Sequence, residues 1–436
     1  MKKITIIGGG LAGVEAAYQC LKRGLAVDLY EMRPHKMTPA HKTVQLAELV
    51  CSNSFRSKLS HNAPGLLKEE MAMLDSLVVE AAKASKIPAG GALAVDREMF
   101  SKYVENKLQA FDGFKLIRQE VKQLPKGPTI IATGPLTSEA LFEHIMNFLA
   151  DDALHFFDAV APIISKESID MNVCYYKNRY DDEIGKGDYI NCPMDEDEYH
   201  DFYETLTNSD VAQIKAFEEN VFEGCMPIET MAKRGKDTLR YGPMKPVGLR
   251  KHVDHKPYAV VQLRKDDARD QMYNIVGFQT HLTFPAQKEL IKKIPGLNNA
   301  EIMRYGVMHK NVFLKSPNHL YKTYQSKARE DLFFAGQITG VEGYIESAGS
   351  GLIAGINIAR YVQEKPLLSF PTTTILGASS DYLEHASVEQ FQPMNANFGL
   401  VDPIRGKHRK KERKALYAKR ALKDLKAYME AQDERF

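Results

Sequence analysis

The sequence predicts an α/β protein whose nucleotide-binding sheet is assembled from both ends of the chain, with an α+β unit inserted between them. Three observations carry this. A strand–glycine–helix–strand unit opens the chain, a second strand–glycine–helix follows residue 330, and the residues between change character. The 436 residues are enough for two or three domains. At 44% hydrophobic and 26% charged, the composition excludes a disordered or collagen-like chain.

The elements follow in order. Residues 2–7 form a short apolar strand, 11–23 read as a helix stopped by Gly24, and AVDLYE (26–31) is a second strand that Pro34 prevents from extending. Residues 61–110 read as mostly helical around the loop IPAGGALAVD (87–96). A buried strand at 129–132 runs into Gly134-Pro135. Residues 170–260 carry short Tyr-rich runs, an acidic stretch DEDEYHD (195–201) and turns such as Gly242-Pro243, continued by strand-like runs at 260–264 and 273–280. DLFFA (331–335) is again a buried strand, followed by glycine and a helix over 347–361. A last helix is basic and carries the apolar stripe Leu422, Leu425 and Met429.

Gly8, Gly10 and Gly13 form G-x-G-x-x-G between the first strand and its helix, in the run Gly8, Gly9, Gly10, Leu11, Ala12, Gly13. The first glycine permits the tight turn, the second lets backbone approach a pyrophosphate, and the third lets helix and strand pack closely. The helix N-terminus offers free N–H groups to phosphate. Glu31 ends the second strand, where a carboxylate can hold ribose hydroxyls, with Arg33 close by. The run FFAGQITGVEGYIESAGSGLIAGINIA supplies Gly336, Gln337, Gly349, Ser350 and Gly351, a second helix start suited to a long flavin dinucleotide. The expected cofactor is therefore FAD. The expected division is a Rossmann-like FAD-binding domain in two parts, 1–165 and 305–436, with an inserted α+β domain at 166–304, the part that the resemblance described below implies faces substrate and RNA.

Cysteines stand at 20, 51, 174, 192 and 225, with no C-x-x-C, so neither a disulfide framework nor a zinc ribbon is expected and no metal site is read. Cys51 has Arg56 and Lys58 nearby, and Cys225 precedes Lys233-Arg234. Neighbouring cations favour a thiolate. Cys20, Cys174 and Cys192 read as buried small hydrophobes. Charge is uneven: residues 405–426 hold eleven Lys/Arg against Glu412 and Asp424, a charge of +9. The whole chain is +2, so the remaining residues sum to −7. That helix is either a solvated basic face or a phosphate-binding one. No run reaches the ~18 apolar residues of a membrane span, and no signal peptide is visible, so a cytoplasmic location is expected.

Longer motifs make the sequence recognisable. GGGLAGVEAA, EMRP (31–34), TPAH (38–41), AELVCSNS (47–54), LKEEM (67–71), PAGGALAVDR (88–97) and IIATGPLTS (130–138) occur in order. NCPM (191–194), EGCMPIE (223–229), AKRG (232–235), GPMKPVGL (242–249), RYGVMH (304–309), FFAGQITGVEGY (333–344) and FQPMNANFGL (391–400) complete the series. Together they resemble the bacterial folate- and FAD-dependent tRNA (uracil-5-)-methyltransferases over essentially the whole chain. Gln337 stands where many two-domain flavoproteins carry an acid, which speaks against a generic disulfide reductase.

The resemblance implies that methylenetetrahydrofolate supplies one carbon and reduced FAD the electrons, that NADPH or NADH re-reduces the flavin, and that the product is 5-methyluridine in the tRNA T-loop. Uracil C5 is a poor nucleophile until a thiolate adds to C6, and a second group must then remove the C5 proton. Cys51 and Cys225 are the implied pair. Cys225 is favoured for C6 addition because it has basic neighbours in the inserted region, and Cys51 acts as acid/base or shields the flavin; the reverse assignment stays open. Tyr344 is a candidate to stack on the folate pterin or the flavin, or else a core tyrosine. Lys233, Arg234 and Lys236, with Arg409, Lys410 and Arg413 on the last helix, are the candidate RNA contacts. Neither a membrane nor an obligate protein partner is implied. The competing expectations are the same chemistry on large-subunit ribosomal RNA, a flavin oxidoreductase of a small molecule, or a non-catalytic RNA-binding flavoprotein.

Overall fold

The computed structural model describes residues 2–151, 154–159, 161–180, 185–212, 226–250, 256–306, 308–406 and 408–432. One sheet has five strands, all parallel. β1 (Lys3–Ile7) is central, between β2 (Ala26–Glu31) and Thr129–Ile131. Phe114–Arg118 flanks β2, and Leu332–Phe334 flanks Thr129–Ile131. The late strand thus joins the N-terminal unit in one sheet, as the glycine-punctuated segments at both ends require.

Alternation along the strands feeds two cores. Ile6, Ile130 and Phe333 point to the face covered by α1 (Leu11–Lys22) and the helix Tyr344–Val362. Their neighbours Ile7, Ile131, Leu332 and Phe334 point to the other face, against Leu141 and Ile145 of the helix Glu139–Leu149. A parallel sheet covered on both faces gives these near-continuous apolar runs. The two helices on the first face touch through small residues. A Cβ on Gly351 would lie 2.2 Å from Ala12 O, and one on Gly355 2.8 Å from Ala16 Cα. Two buried carboxylates tie down further helices: Glu15 accepts the Val78 N–H, and Glu70 accepts those of Ile375 and Leu376, each where a helix N-terminus needs acceptors.

The second sheet has six antiparallel strands in the order Tyr175–Tyr176, Tyr189–Met194, Ala259–Lys265, Met272–Ile275, Ile163–Ser165, Ile302–Arg304. It has its own core around Ile190, Val261, Leu263, Tyr199 and Phe202. The acidic run at 195–201 opens the helix Glu196–Asn208: Asp195 and Glu198 form a reciprocal capping box there. The run at 273–280 leaves the sheet at Ile275, because Gly277 turns the chain at φ +78° against Pro243. Leu154–Ala159 and Met308–Phe313, the segments that leave and re-enter the parallel sheet's side, pair antiparallel with each other.

The last helix begins at Lys410 and ends at Glu430. Tyr417, Ala418, Ala421 and Leu425 form its buried line, flanked by Leu422 and Met429, while Lys414, Lys419, Lys423 and Lys426 are exposed. Among the described residues no helix is long and apolar enough to cross a membrane.

Candidate functional site

A cavity of 140 Å³ opens at the top of β1, lined by Gly8, Gly9, Gly10, Leu11, Ala12, Glu31, Arg33, Gly336 and Gln337. The glycines meet the requirements of their motif one by one. Gly8 has φ +107°, and a Cβ there would lie 2.4 Å from Ala132 O. Gly13 packs so closely that a Cβ would be 1.9 Å from Gly8 O. Around Gly10 a Cβ would meet nothing within 4 Å, because this position caps α1 and faces open space. That is the cradle a pyrophosphate needs at a helix N-terminus, so the residues present fit a dinucleotide.

Glu31 is buried and accepts four hydrogen bonds. Oε2 takes Gly9 N–H (3.0 Å) and Arg33 Nη2 (3.2 Å), while Oε1 takes Arg33 N and Nε (3.0 Å each). Burial works against its charge, yet the Arg33 hydrogen bond and charge, with the two backbone N–H groups, hold its carboxyl below the usual carboxylate range. A carboxylate has about four acceptor positions. A ribose hydroxyl therefore competes here with a loop that Glu31 already fixes. Arg33 is itself anchored at Glu48 Oε2 (2.9 Å).

The late glycine segment differs from expectation. Its helix starts at Tyr344 after Gly343, so Gly349, Ser350 and Gly351 lie inside it and do not line the cavity. Gly349 faces Leu376, Met71 and Leu67, and Gly351 faces Ala12 O. Ser350 Oγ accepts Gly336 N–H at 2.7 Å and so fixes the loop that does line it. The spacing of these residues reports helix packing, and the helix end offered to the cavity belongs to Tyr344 and Ser347.

A second cavity, of 220 Å³, adjoins the first, and the two share Val50, Pro135, Leu136, Gln337 and Tyr344 along their common wall. Cys51 lines it, with Ser52, Arg264, Gln279, Asn311 and Glu346. The Cys51 loop precedes the short strand Ser54–Ser57, which a three-stranded antiparallel sheet with Ala92–Val95 and Lys86–Ile87 holds in place. Tyr344 Oη accepts the N–H of Cys51 (2.7 Å) and of Ser52 (3.0 Å). Burial, with the Cys51 sulfur next, pushes the Tyr344 hydroxyl pKa up. Tyr344 is thus a clamp on the cysteine loop as well as a wall between the cavities.

The sequence neighbour Arg56 pairs with Glu346 (3.6 Å), and Lys58 is exposed. The guanidiniums whose charges couple to the Cys51 sulfur are Arg97 and Arg264. Arg97 makes a two-point contact to Asp266 (3.1 Å each) and binds Leu49 O. Arg97 and Arg264 were not singled out from the sequence, although Arg97 ends the motif PAGGALAVDR. Only the folded sheet brings them beside Cys51.

Cys20 is buried, and burial pushes its thiol up to about 12; Cys174 and Cys192 are buried 3.4 Å apart in the second core. None of these three lines either cavity. Cys225 lies outside the described residues. Ile228, three residues on, donates its N–H to Gln279 O (2.8 Å), and Gln279 lines the Cys51 cavity. Lys233, Arg234 and Lys236 are exposed, the last two on an open groove with Tyr241. Arg409 and Arg413 are exposed at the start of the last helix, which Lys410 opens.

Comparison with known proteins agrees with this geometry. The family model described as "Glucose inhibited division protein A" matches residues 3–366. A protein of Anoxybacillus flavithermus named methylenetetrahydrofolate–tRNA-(uracil-5-)-methyltransferase TrmFO is 55% identical over 433 residues, covering 98% of this chain and 99% of that one. A Bacillus subtilis protein of the same name is 55% identical, covering 97% of each. The solved structure of Aquifex aeolicus GidA superposes with a TM-score of 0.70 at 18% identity, over 99% of this chain and 77% of that one, a likeness of fold.

Proposed function

The chain belongs to the glucose-inhibited division protein A family and, within it, to the methylenetetrahydrofolate–tRNA-(uracil-5-)-methyltransferases, and from that premise we propose that it methylates the T-loop uridine in the cavity beside Cys51. It is a FAD-dependent enzyme that methylates a tRNA uridine with methylenetetrahydrofolate as one-carbon donor. The observation that carries the site reading is the wall shared by the two cavities, with Cys51 on its far side.

Gly8 to Ala12, Glu31, Arg33, Gly336 and Gln337 are the residues that would hold the dinucleotide. Reduced FAD, when bound, supplies the electrons that turn the transferred methylene into methyl, with NADPH or NADH as the source. Cys225 adds to uracil C6, which makes C5 nucleophilic, and leaves again when the C5 proton is removed. Cys51 works on the flavin side, as acid/base or shield. Arg97 and Arg264 are the guanidiniums close enough to interact with the Cys51 sulfur, Arg97 from its pair with Asp266. Tyr344 places the loop, and its ring is available to a flat pterin.

Lys233, Arg234 and Lys236, with Arg409, Lys410 and Arg413, take tRNA phosphates, and the target base leaves its stack to enter the cavity. The inserted unit is read as running from the strand Ile163–Ser165 to Ile302–Arg304. A cytoplasmic location follows from the substrate.

The test is an assay with purified protein, unmodified tRNA transcript, methylene-labelled folate and NADPH. Label is expected in the T-loop uridine, and none from S-adenosylmethionine. Cys51→Ala and Cys225→Ala are each expected to abolish transfer while yellow, FAD-bound protein is recovered. Transfer to ribosomal RNA alone, or turnover without RNA, contradicts the reading.

A further inference from the structure

Beyond the residues it shares with the first cavity, the Cys51 cavity is lined by several polar side chains. Asn311 comes from the strand Met308–Phe313, Arg264 from Ala259–Lys265, and Gln279 from the turn after Met272–Ile275. Asn311 is 2% exposed and Arg264 8%. Among the described residues Arg264 Nε and Glu346 Oε2 are buried on this cavity without a hydrogen-bond partner, and Asn311 lines it with a carboxamide that pairs with none of the described residues. An unpaired buried polar group costs roughly 1–3 kcal/mol. An unpaired guanidinium N–H and a free carboxamide in one cavity call for a ligand that supplies the missing partners.

A planar ligand suits the cavity, because the Tyr344 ring and the Cys51 loop line it as well. It must also present acceptors to a guanidinium, which can only donate, and both a donor and an acceptor to a carboxamide. The imide edge of uracil has this pattern: N3–H lies between the O2 and O4 carbonyls. We infer that Asn311 reads this edge, accepting N3–H and donating to O4, with Arg264 donating to a uracil carbonyl oxygen. Cytosine offers an amino group where uracil has O4, and a guanidinium repels it. When a thiolate adds to C6, electron density moves onto O4. Donors aimed at that oxygen then hold the developing charge as an oxyanion hole does. Asn311 would thus be a specificity residue for the target base. The inference rests on the uridine-methylation reading and adds to it.

The test compares wild-type holoenzyme with Asn311→Ala on two tRNA transcripts, one with uridine and one with N3-methyluridine at the target position. Wild type is expected to lose about 100-fold or more in kcat/KM on the N3-methyl transcript, since a site built around a hydrogen bond rejects the analogue that lacks it. Asn311→Ala is expected to lose about 100-fold on the uridine transcript and to distinguish the two transcripts by less than about 5-fold, with FAD content and the KM for methylenetetrahydrofolate unchanged. If the alanine variant does not fold, Asn311→Leu, which keeps the volume and can neither donate nor accept, is read in the same way. Two results overturn the inference. One is a folded, FAD-bound variant that still methylates uridine at the wild-type rate. The other is a variant whose KM rises for the folate while the N3-methyl penalty persists, which would give the carboxamide to the pterin. Failure of wild type to methylate tRNA at all would instead refute the functional reading.

Discussion

Replacing Tyr344 with phenylalanine removes one oxygen and keeps the ring. In the structure that oxygen is the acceptor for the N–H groups of Cys51 and Ser52, at 2.7 and 3.0 Å. Each donor left unpaired costs roughly 1–3 kcal/mol when buried. Both residues are half-buried beside a cavity, where water can stand in for part of the loss, so about 2–3 kcal/mol for the pair is the working figure. Because 1.4 kcal/mol is tenfold, a loop that relaxes out of place by this amount slows methylation about 30- to 100-fold. The assay is single-turnover label transfer from methylenetetrahydrofolate to tRNA, with urea unfolding and flavin absorbance on the same preparations. Lower stability, a slow transfer step and full FAD content are expected. A variant with wild-type stability and rate would refute the clamp and leave Tyr344 as a stacking ring alone, since stacking survives the change.

Gly351→Ala places a Cβ about 2.2 Å from Ala12 O, so α1 and the late helix must separate. Overpacking of this kind costs roughly 1–3 kcal/mol, and weaker FAD retention on a desalting column is the expected readout. Burial lowers the Lys68 ammonium pKa to about 8, although Glu346 opposes this. From about 8 to about 10.5 the unfolded chain holds a proton that the native chain has released, so stability rises with pH across that window, by at most about 3 kcal/mol. Urea midpoints at pH 8, 9 and 10 should show the rise in wild type and not in Lys68→Met. Replacing Lys233, Arg234 and Lys236 together with alanine should weaken tRNA binding and flatten its log–log salt dependence by about 1 per lost phosphate contact, with kcat unchanged at saturating tRNA.

The parts of the fold legible in the sequence were those where each residue obeys a local rule. Gly8, Gly13 and the strands at 3–7, 26–31, 129–131 and 332–334 carry their own geometric requirements, and the sheet follows from them. The edge strand Phe114–Arg118 was missed because it has no fully buried residue to mark it. The acidic run at 195–201 gave no apolar periodicity at its start, so the capping box hid the helix Glu196–Asn208 behind it. Gly349 and Gly351 misled, because close helix packing and phosphate approach ask for the same residue. The cysteine site was legible only in part. Cys51 could be picked out by its motif, whereas Arg97, Arg264 and Asn311 lie 46, 213 and 260 positions away along the chain, on a helix and two different sheets, and meet it only in the fold.

One spatial relation decides the mechanism: a flavin ring at the boundary where the two cavities meet. The measurement that reaches it most directly is a crystal structure of the FAD-loaded protein. The isoalloxazine is expected against Tyr344 and Gln337, with the Cys51 sulfur facing it across the second cavity. A ring bound elsewhere, with Cys51 walled off from it by ordered side chains, would contradict the account.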